Sequence, residues 1–298
     1  MNLEGKRIII SRTDSIGDVL LTLPICSWLK KRHPKSSILF LGKAYTRPIV
    51  DLYSSVDSFV DWDDFTSLSK KEKLKKWKRL DIDVIIHVFP NKKIAQLAKK
   101  GKTKTRIGTR HRLYHLWNCN KTVSFTRKKS DLHESQLNHE LLRPFGLKEI
   151  PSLNAIIKTT KFFSIPKVSL PNNLLTLTDF IVLHPKSKGS AVEWPIDRYF
   201  ELASVLVKQG RVIVFTGTKS EGEMFKKRIP THKNIIDATG ILNLTQLIFL
   251  ISRAKNFVAC STGPLHIAGY LGVNTIGIYS SKRPILSLIH ISEPTRPY

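Results

Sequence analysis

Short runs of β-branched and aliphatic residues recur along this chain, each followed by a longer stretch with apolar residues at helical spacing, and no other feature limits the fold as strongly. In the first half, Arg7–Ser11, Ile38–Gly42, Phe59–Trp62 and Val84–Val88 read as strands, and Asp18–Arg32, Ser69–Leu80, Asn91–Lys100 and His133–Pro144 as helices. The alternation resumes with strands Phe180–His184, Arg211–Thr216, Ile235–Ala238, Phe257–Cys260 and Thr275–Tyr279. Between them the helical patterns are Ile196–Gln209, Glu221–Arg228, Leu244–Lys255 and Gly263–Leu271. Tyr199, Leu202, Ala203 and Leu206 form one apolar stripe, and Leu244, Leu247, Ile248 and Ile251 another, because spacings of three and four stack side chains on one helix face. Strands alternating with helices of this length predict βαβ units, and hence an α/β fold with mainly parallel sheets covered on both faces.

Between Ser164 and Leu177 the helical period lapses and two prolines and an Asn pair intervene, which places a linker there. The expected organisation is an N-terminal Rossmann-like domain over 1–165, a linker over 166–178 and a C-terminal Rossmann-like domain over 179–281. Two such domains in series predict a cleft between the carboxyl ends of two facing sheets, where ligands of such sheets bind. A chain of 298 residues with 41% hydrophobic residues has the material for both cores. It holds no run of about 18 apolar residues, and the apolar segment after Arg7 is too short for a signal peptide, so a cytoplasmic location is expected. Cys26, Cys119 and Cys260 form no CxxC pair and read as buried thiols.

The net charge is +26, with the excess concentrated in the first half. From Val84 to Ser130 there is no acidic residue, whereas Lys99, Lys100, Lys102, Lys104, Arg106, Arg110 and Arg112 are among the basic ones, interleaved with Tyr114 and Trp117. A field of that sign attracts nucleic acid, anionic lipid or a phosphorylated acceptor alike, and a solvated lysine-rich surface is the plain alternative. No helix-turn-helix, zinc-finger or RNP pattern accompanies the charge, so a nucleic-acid-binding protein is the weaker reading.

Two segments carry candidate chemistry. The first, Arg12-Thr13-Asp14-Ser15-Ile16-Gly17-Asp18-Val19-Leu20-Leu21-Thr22-Leu23-Pro24, leaves the first strand and enters a helix. Gly17 permits a tight turn or close approach of a ligand, and Asp18 reads either as a helix cap or as a functional carboxylate. The second, Ala259-Cys260-Ser261-Thr262-Gly263-Pro264-Leu265-His266, again runs from a strand into a helix. Free N–H groups at that helix start, the positive end of its dipole and a proline in the first turn make an anion site.

Together these segments resemble the lipopolysaccharide heptosyltransferases of glycosyltransferase family nine. Strand-SxxGDxxLTLP is similar to the family's opening signature, and Ser261-Thr262-Gly263 with His266 to its donor motif. Supporting matches are Asp237-Ala238-Thr239-Gly240, Val214-Phe215-Thr216-Gly217-Thr218 and His184-Pro185-Lys186 through Trp194-Pro195. The resemblance implies a GT-B fold and an inverting glycosyltransferase that moves heptose or a related sugar from a nucleoside-diphosphate sugar, ADP-heptose, to a lipopolysaccharide core or lipid-linked saccharide. It implies Asp18 as catalytic base, with Gly17 beside it on the acceptor side, and Ser261, Thr262, Gly263 and His266 as donor contacts; Gly217 and Thr218 either face the nucleotide or make a turn. Val192 stands where the family carries a lysine for the leaving diphosphate, and Lys186 and Lys188 are the candidate replacements. Lys100, Lys102 and Lys104 are the expected acceptor-side cations. No metal and no cofactor are expected. The expected partners are the donor, an anionic lipid-linked acceptor and the inner membrane surface, met from the cytoplasm by a monomer without specific nucleic acid. A catalytically degenerate sugar-nucleotide-binding protein is the alternative. Residues 282–298 lack the amphipathic pattern of a closing helix, so an atypical tail and an incomplete second domain are expected.

Overall fold

Three consecutive isoleucines, Ile8, Ile9 and Ile10, have no solvent-exposed surface and sit in the strand from which the first sheet is built. A strand buried on both faces reads as a continuous apolar run, as in parallel sheets covered by helices. A computed structural model of the chain describes residues 2–126, 130–189 and 191–279. These form two compact units, Met1–Ser164 and Ile165–Tyr298.

The first unit contains β1 (Arg7–Ser11), α1 (Ile16–Leu20), α2 (Leu23–Arg32), β2 (Ser37–Gly42), α3 (Arg47–Val50), β3 (Ser58–Asp61), α4 (Asp63–Thr66), α5 (Lys70–Arg79), β4 (Val84–His87), α6 (Lys92–Lys100), β5 (Thr105–Thr109), α7 (Leu113–Asn118), β6 (Lys121–Val123), α8 (Glu134–Glu140) and α9 (Leu153–Ile157). Its six strands lie in the order β3-β2-β1-β4-β5-β6, and every pairing is parallel. The second unit contains α10 (Asn172–Leu175), β7 (Phe180–His184), α11 (Ile196–Lys208), β8 (Val212–Phe215), α12 (Lys219–Glu223), β9 (Ile235–Asp237), α13 (Leu244–Arg253), β10 (Asn256–Cys260), α14 (Gly263–Tyr270) and β11 (Asn274–Ile278). Its order is β11-β10-β7-β8-β9, again all parallel. Each sheet thus has a point where chain progression reverses, between β1 and β4 in one and between β7 and β10 in the other. The crevice outside the strand ends at such a point is where open α/β sheets take ligands.

The structure differs from the sequence reading at several elements. The single helix expected over Asp18–Arg32 is two, α1 and α2, interrupted at Leu21 and Thr22. Pro24 lacks an N–H, and inside a continuous helix its ring would meet the carbonyl of Leu20, so the helix restarts with proline in its first turn. β5, α7 and β6 were not anticipated, because Thr105–Thr109 (TRIGT) carries an arginine and a glycine and gains its register only from β4 and β6. The helix expected over Glu221–Arg228 begins earlier, where Thr218 and Glu221 form a capping box, and stops at Glu223 before a short 3-10 turn.

The segment read as a linker is tied to the second unit. Leu170 and Leu174 are buried, Gln246 donates to the Ser169 carbonyl at 3.0 Å, and Arg253 donates to the carbonyls of Leu175 and Leu177 at 2.8 and 2.7 Å. All three cysteines are buried free thiols. The tail 282–298, and with it the expectation of an incomplete second domain, lies outside the described residues.

Candidate active site

Arg12, the first residue beyond β1, is only 3% exposed, and burying a guanidinium requires carboxylates around it. Its Nη2 donates to Asp18 Oδ1 at 2.6 Å, its Nε to Asp14 Oδ1 at 2.8 Å and its Nη1 to Glu134 Oε1 at 3.3 Å. Asp18 occupies the third position of α1. Its backbone N–H donates to Ser15 Oγ at 3.4 Å, and the Ser15 hydroxyl donates to Asp18 Oδ2 at 2.7 Å. Asp18 is therefore not the N-cap of α1: Ser15 caps the helix and its hydroxyl also holds the Asp18 side chain. With one bond on each oxygen, an ionised carboxylate keeps lone pairs on both, and the side chain is 36% exposed, so a hydroxyl proton can be accepted there. Gly17, buried directly before Asp18, completes the turn.

Three carboxylates around one cation leave excess negative charge. Burial, with Asp18 adding to it, outweighs the pull of Arg12 and pushes the Asp14 carboxyl up to about 6. A folded value above the unfolded one near 3.8 means that this group favours folding below that pH and that its contribution is lost as pH rises through about 6. Asp14→Asn is neutral at every pH. It should therefore be more stable than wild type at pH 7.5 by about 2 kcal/mol, and the advantage should shrink at pH 5. Urea unfolding at the two pH values measures this; an unchanged difference would show that Asp14 does not titrate in that window.

In the second unit, β7 lies between β10 and β8. The segments that follow these three strands are Pro185–Pro195, Ser261–His266 and Thr216–Thr218, so the sheet gathers the donor candidates on one edge. A direct link joins two of the segments, where the Trp194 N–H donates to Cys260 Sγ at 3.2 Å. α14 starts with Thr262 as N-cap, yet Thr262 makes no side-chain capping bond and no acidic residue lies in the first turn. The Thr262 hydroxyl is buried and meets no hydrogen-bond partner among the described residues. Unsatisfied N–H groups, a dipole and an orphaned hydroxyl on one helix start form a cradle for an anion. Ser261, Gly263 and His266 are half-buried around it, and the His266 N–H donates to the Thr262 carbonyl at 3.3 Å.

The neighbouring α12 shows the contrast. The Thr218 hydroxyl bonds Glu221 Oε2 at 2.7 Å, and the same oxygen accepts the Thr218 N–H at 2.7 Å, so that helix start is already occupied by a carboxylate. Thr218 therefore serves the turn. Gly240 has φ of +74°, and a Cβ there would lie 2.8 Å from Lys219 Cα, which explains the glycine of the Thr-Gly turn packed against α12. His184, at the end of β7, shares a hydrogen bond with Thr216 Oγ1 at 2.9 Å; burial, aided by Lys188 and opposed by Glu221, holds its ring down at about 4 and therefore neutral.

Lys186 and Lys188 differ in their engagements. Lys186 donates to Glu193 Oε2 at 2.5 Å, while Glu193 Oε1 accepts from the Ser187 N–H at 2.8 Å and its hydroxyl at 3.0 Å. Lys188 is exposed at φ of +48° and has no ion pair among the described residues. Val192 is 66% exposed on the same loop. Lys100, Lys102 and Lys104 are not brought together with Asp18. They precede β5, and in an all-parallel sheet that is the strand-start edge, where Lys104 pairs with Asp83 at 3.4 Å; Asp18 follows β1 at the strand-end edge. Arg110 and Arg112, which follow β5, are among the cations on the Asp18 edge, with Lys43 after β2 and Lys92 and Lys93 at the start of α6. Sequence reasoning missed Arg12, Asp14, Glu134 and Glu193. Glu134 is 122 residues from Arg12, and no local pattern announces that pairing.

Comparison with known proteins agrees with the fold. The profile described as glycosyltransferase family 9 (heptosyltransferase) matches residues 73–287. The lipopolysaccharide core heptosyltransferase OpsX of Haemophilus influenzae is 24% identical over 307 residues, spanning 94% of this chain and 80% of that protein. A glycosyl transferase family 9 structure from Veillonella parvula superposes with a TM-score of 0.77 at 20% identity, covering 98% of this chain and 85% of that one. The Escherichia coli heptosyltransferase WaaC, solved with ADP-2-deoxy-2-fluoro heptose, has a TM-score of 0.73 at 20% identity over 93% of this chain and 90% of its own.

Proposed function

This chain belongs to glycosyltransferase family 9 (heptosyltransferase), and from that premise we propose that it transfers heptose from ADP-heptose to a lipopolysaccharide core or similar anionic lipid-linked acceptor, with inversion at the anomeric carbon. The observation that carries the donor half is the open start of α14, with the orphaned Thr262 hydroxyl at the point where the second sheet reverses its order. Two relatives support the reading by what they are: a lipopolysaccharide core heptosyltransferase supports the sugar and acceptor, and a heptosyltransferase solved with an ADP-heptose analogue supports the donor nucleotide.

In this reading Asp18 accepts the proton of the acceptor hydroxyl as its oxygen attacks the anomeric carbon, and the bond to the diphosphate breaks on the opposite face. Arg12 and Ser15 hold the carboxylate in place for that transfer. Ser261, Thr262, Gly263 and His266 receive the diphosphate and sugar, and the α14 dipole with Lys188 stabilises the charge that develops on the leaving group. Lys186 joins them on release from Glu193. Among the described residues no group of three or more His, Cys, Asp or Glu is arranged to hold a metal ion, so the reading routes no step through one. Among the same residues no helix is long and apolar enough to cross a membrane. The reading has a monomer meet its acceptor at the cytoplasmic face of the inner membrane.

The test is release of ADP from ADP-heptose in the presence of heptose-deficient lipopolysaccharide, compared with other nucleoside-diphosphate sugars. Thr262→Val should raise the donor KM about tenfold or more, since a hydrogen bond to a charged group is lost while the side-chain shape is kept. ADP-heptose that binds by calorimetry but is never turned over would favour a degenerate sugar-nucleotide-binding protein. Turnover with another donor alone would correct the sugar.

A further inference from the structure

On α7 the usual polarity of a surface helix is reversed. His115 and Asn118, three residues apart, face inward and are buried, with His115 Nδ1 at 3.2 Å from the Thr109 carbonyl and Asn118 Nδ2 donating to the Tyr114 carbonyl at 2.6 Å. Leu113, Leu116 and Trp117, at spacings of three and four on the opposite face, are 72%, 48% and 69% exposed. Scattered exposed apolar residues are ordinary, but a leucine pair and a tryptophan on one face of a single short helix form a contiguous patch.

The surroundings say what fits it. Arg112 is the N-cap of α7 and Arg110 lies two residues before it; both are exposed. At the other end, Lys99 Nζ donates to the Trp117 carbonyl at 2.6 Å, and Lys100 follows on α6, which packs against α7. The patch is thus bracketed by cations at both ends, inside a stretch from Val84 to Ser130 that contains no acidic residue. A protein partner would need its own acidic rim around an apolar socket. An anionic bilayer offers both at once, hydrocarbon for Leu113 and Leu116, the interface for Trp117 and headgroup charge for the cations.

We infer that α7 is the membrane-docking element of this protein, inserting Leu113, Leu116 and Trp117 into the interface of an anionic bilayer while Lys99, Lys100, Arg110 and Arg112 contact the headgroups. The inference rests on the lipid-linked acceptor reading for its role in the reaction. The docking itself needs only the surface, because a shallow apolar insertion and a basic rim together supply the two signals that stable anchoring takes.

The experiment is sedimentation of the protein with vesicles of equimolar phosphatidylglycerol and phosphatidylcholine, and with phosphatidylcholine alone. Leu113→Ser/Leu116→Ser/Trp117→Ser should lose about tenfold or more in affinity for the anionic vesicles, with ADP-heptose binding by calorimetry unchanged as the check on folding. Lys99→Gln/Lys100→Gln/Arg110→Gln/Arg112→Gln should bind weakly with a flattened salt dependence. Phosphatidylglycerol brominated on its acyl chains should quench wild-type tryptophan fluorescence, and Trp117→Phe should remove that quenching. Wild-type vesicle affinity in the apolar variant would overturn the proposal. So would a dimer-to-monomer change in that variant without loss of vesicle binding, which would make a second copy the occupant. Vesicle docking through α7 by a protein that turns over no nucleotide sugar would sink the transferase reading and leave the docking inference standing.

Discussion

Asp18→Asn is expected to lower transfer by about 100- to 10,000-fold, the range a positioned general base contributes, while donor affinity stays within a few-fold. Asparagine keeps the shape of the side chain, and the Asp18 backbone N–H still reaches Ser15 Oγ, so α1 retains its cap. What disappears is the ability to take a proton from the acceptor hydroxyl, a loss felt in the transition state alone. It therefore lowers kcat and kcat/KM together. A residue that only supports the helix behaves in the opposite way. Removing an acidic group from the first turn costs a few tenths of a kcal/mol to about 1 kcal/mol of stability through the helix dipole and leaves turnover intact. Steady-state kinetics and urea unfolding of the same variant separate the two, and near-normal turnover with reduced stability would make Asp18 a residue that only supports the first turn of α1.

Acid should unfold the first unit between about pH 6 and pH 4. His87 is fully buried on β4 and its ring is pushed down to about 3, by burial first and by His115 and Arg106 in addition. His139 is pushed down to about 4 by burial, against the hydrogen bond it makes with the Ser135 carbonyl. The unfolded chain takes up these protons near 6.5, whereas the folded one does so only near 3 to 4. Stability is therefore lost as pH falls below 6.5. At about 1.4 kcal/mol per unit of separation, the two rings amount to on the order of 5 kcal/mol at pH 4, comparable to the stability of a whole domain. Protonation of Asp14 offsets part of it. Neither His87 ring nitrogen meets a hydrogen-bond partner among the described residues, so His87→Leu removes two orphaned polar atoms as well as the titrating group. The variant should match or exceed wild-type stability at pH 7 and unfold at least half a pH unit lower, read by circular dichroism across an acid titration. An unchanged midpoint would mean that His87 takes up its proton alike in the folded and unfolded states.

How much of this was legible beforehand divides by the distance over which each feature is encoded. Period-2 and period-3.6 patterns, the Gly17-Asp18 and Ser261-Thr262-Gly263 turns and the acid-free stretch are all local. From them alone follow the α/β class, most strand positions and both candidate turns, because hydrophobic periodicity and turn chemistry act over a few residues. The reading failed where local propensity is weak. β5 is a strand because β4 and β6 flank it, and Pro24 splits a helix whose apolar pattern runs straight through the break.

Only the tertiary structure decided the environment of each charge. Arg12 is buried among Asp14, Asp18 and Glu134, a set drawn from two ends of the first unit, and Lys186 is held by Glu193 across its own loop. The sheet put Lys100, Lys102 and Lys104 at one edge and Asp18 at the other, because parallel strands assign the loops before and after them to opposite sides. Burial turned α7 inside out, hiding His115 and Asn118 and leaving Leu113, Leu116 and Trp117 outside. A sequence names which side chains can ionise or insert, but desolvation and Coulomb energy depend on what folding places within a few ångströms of them.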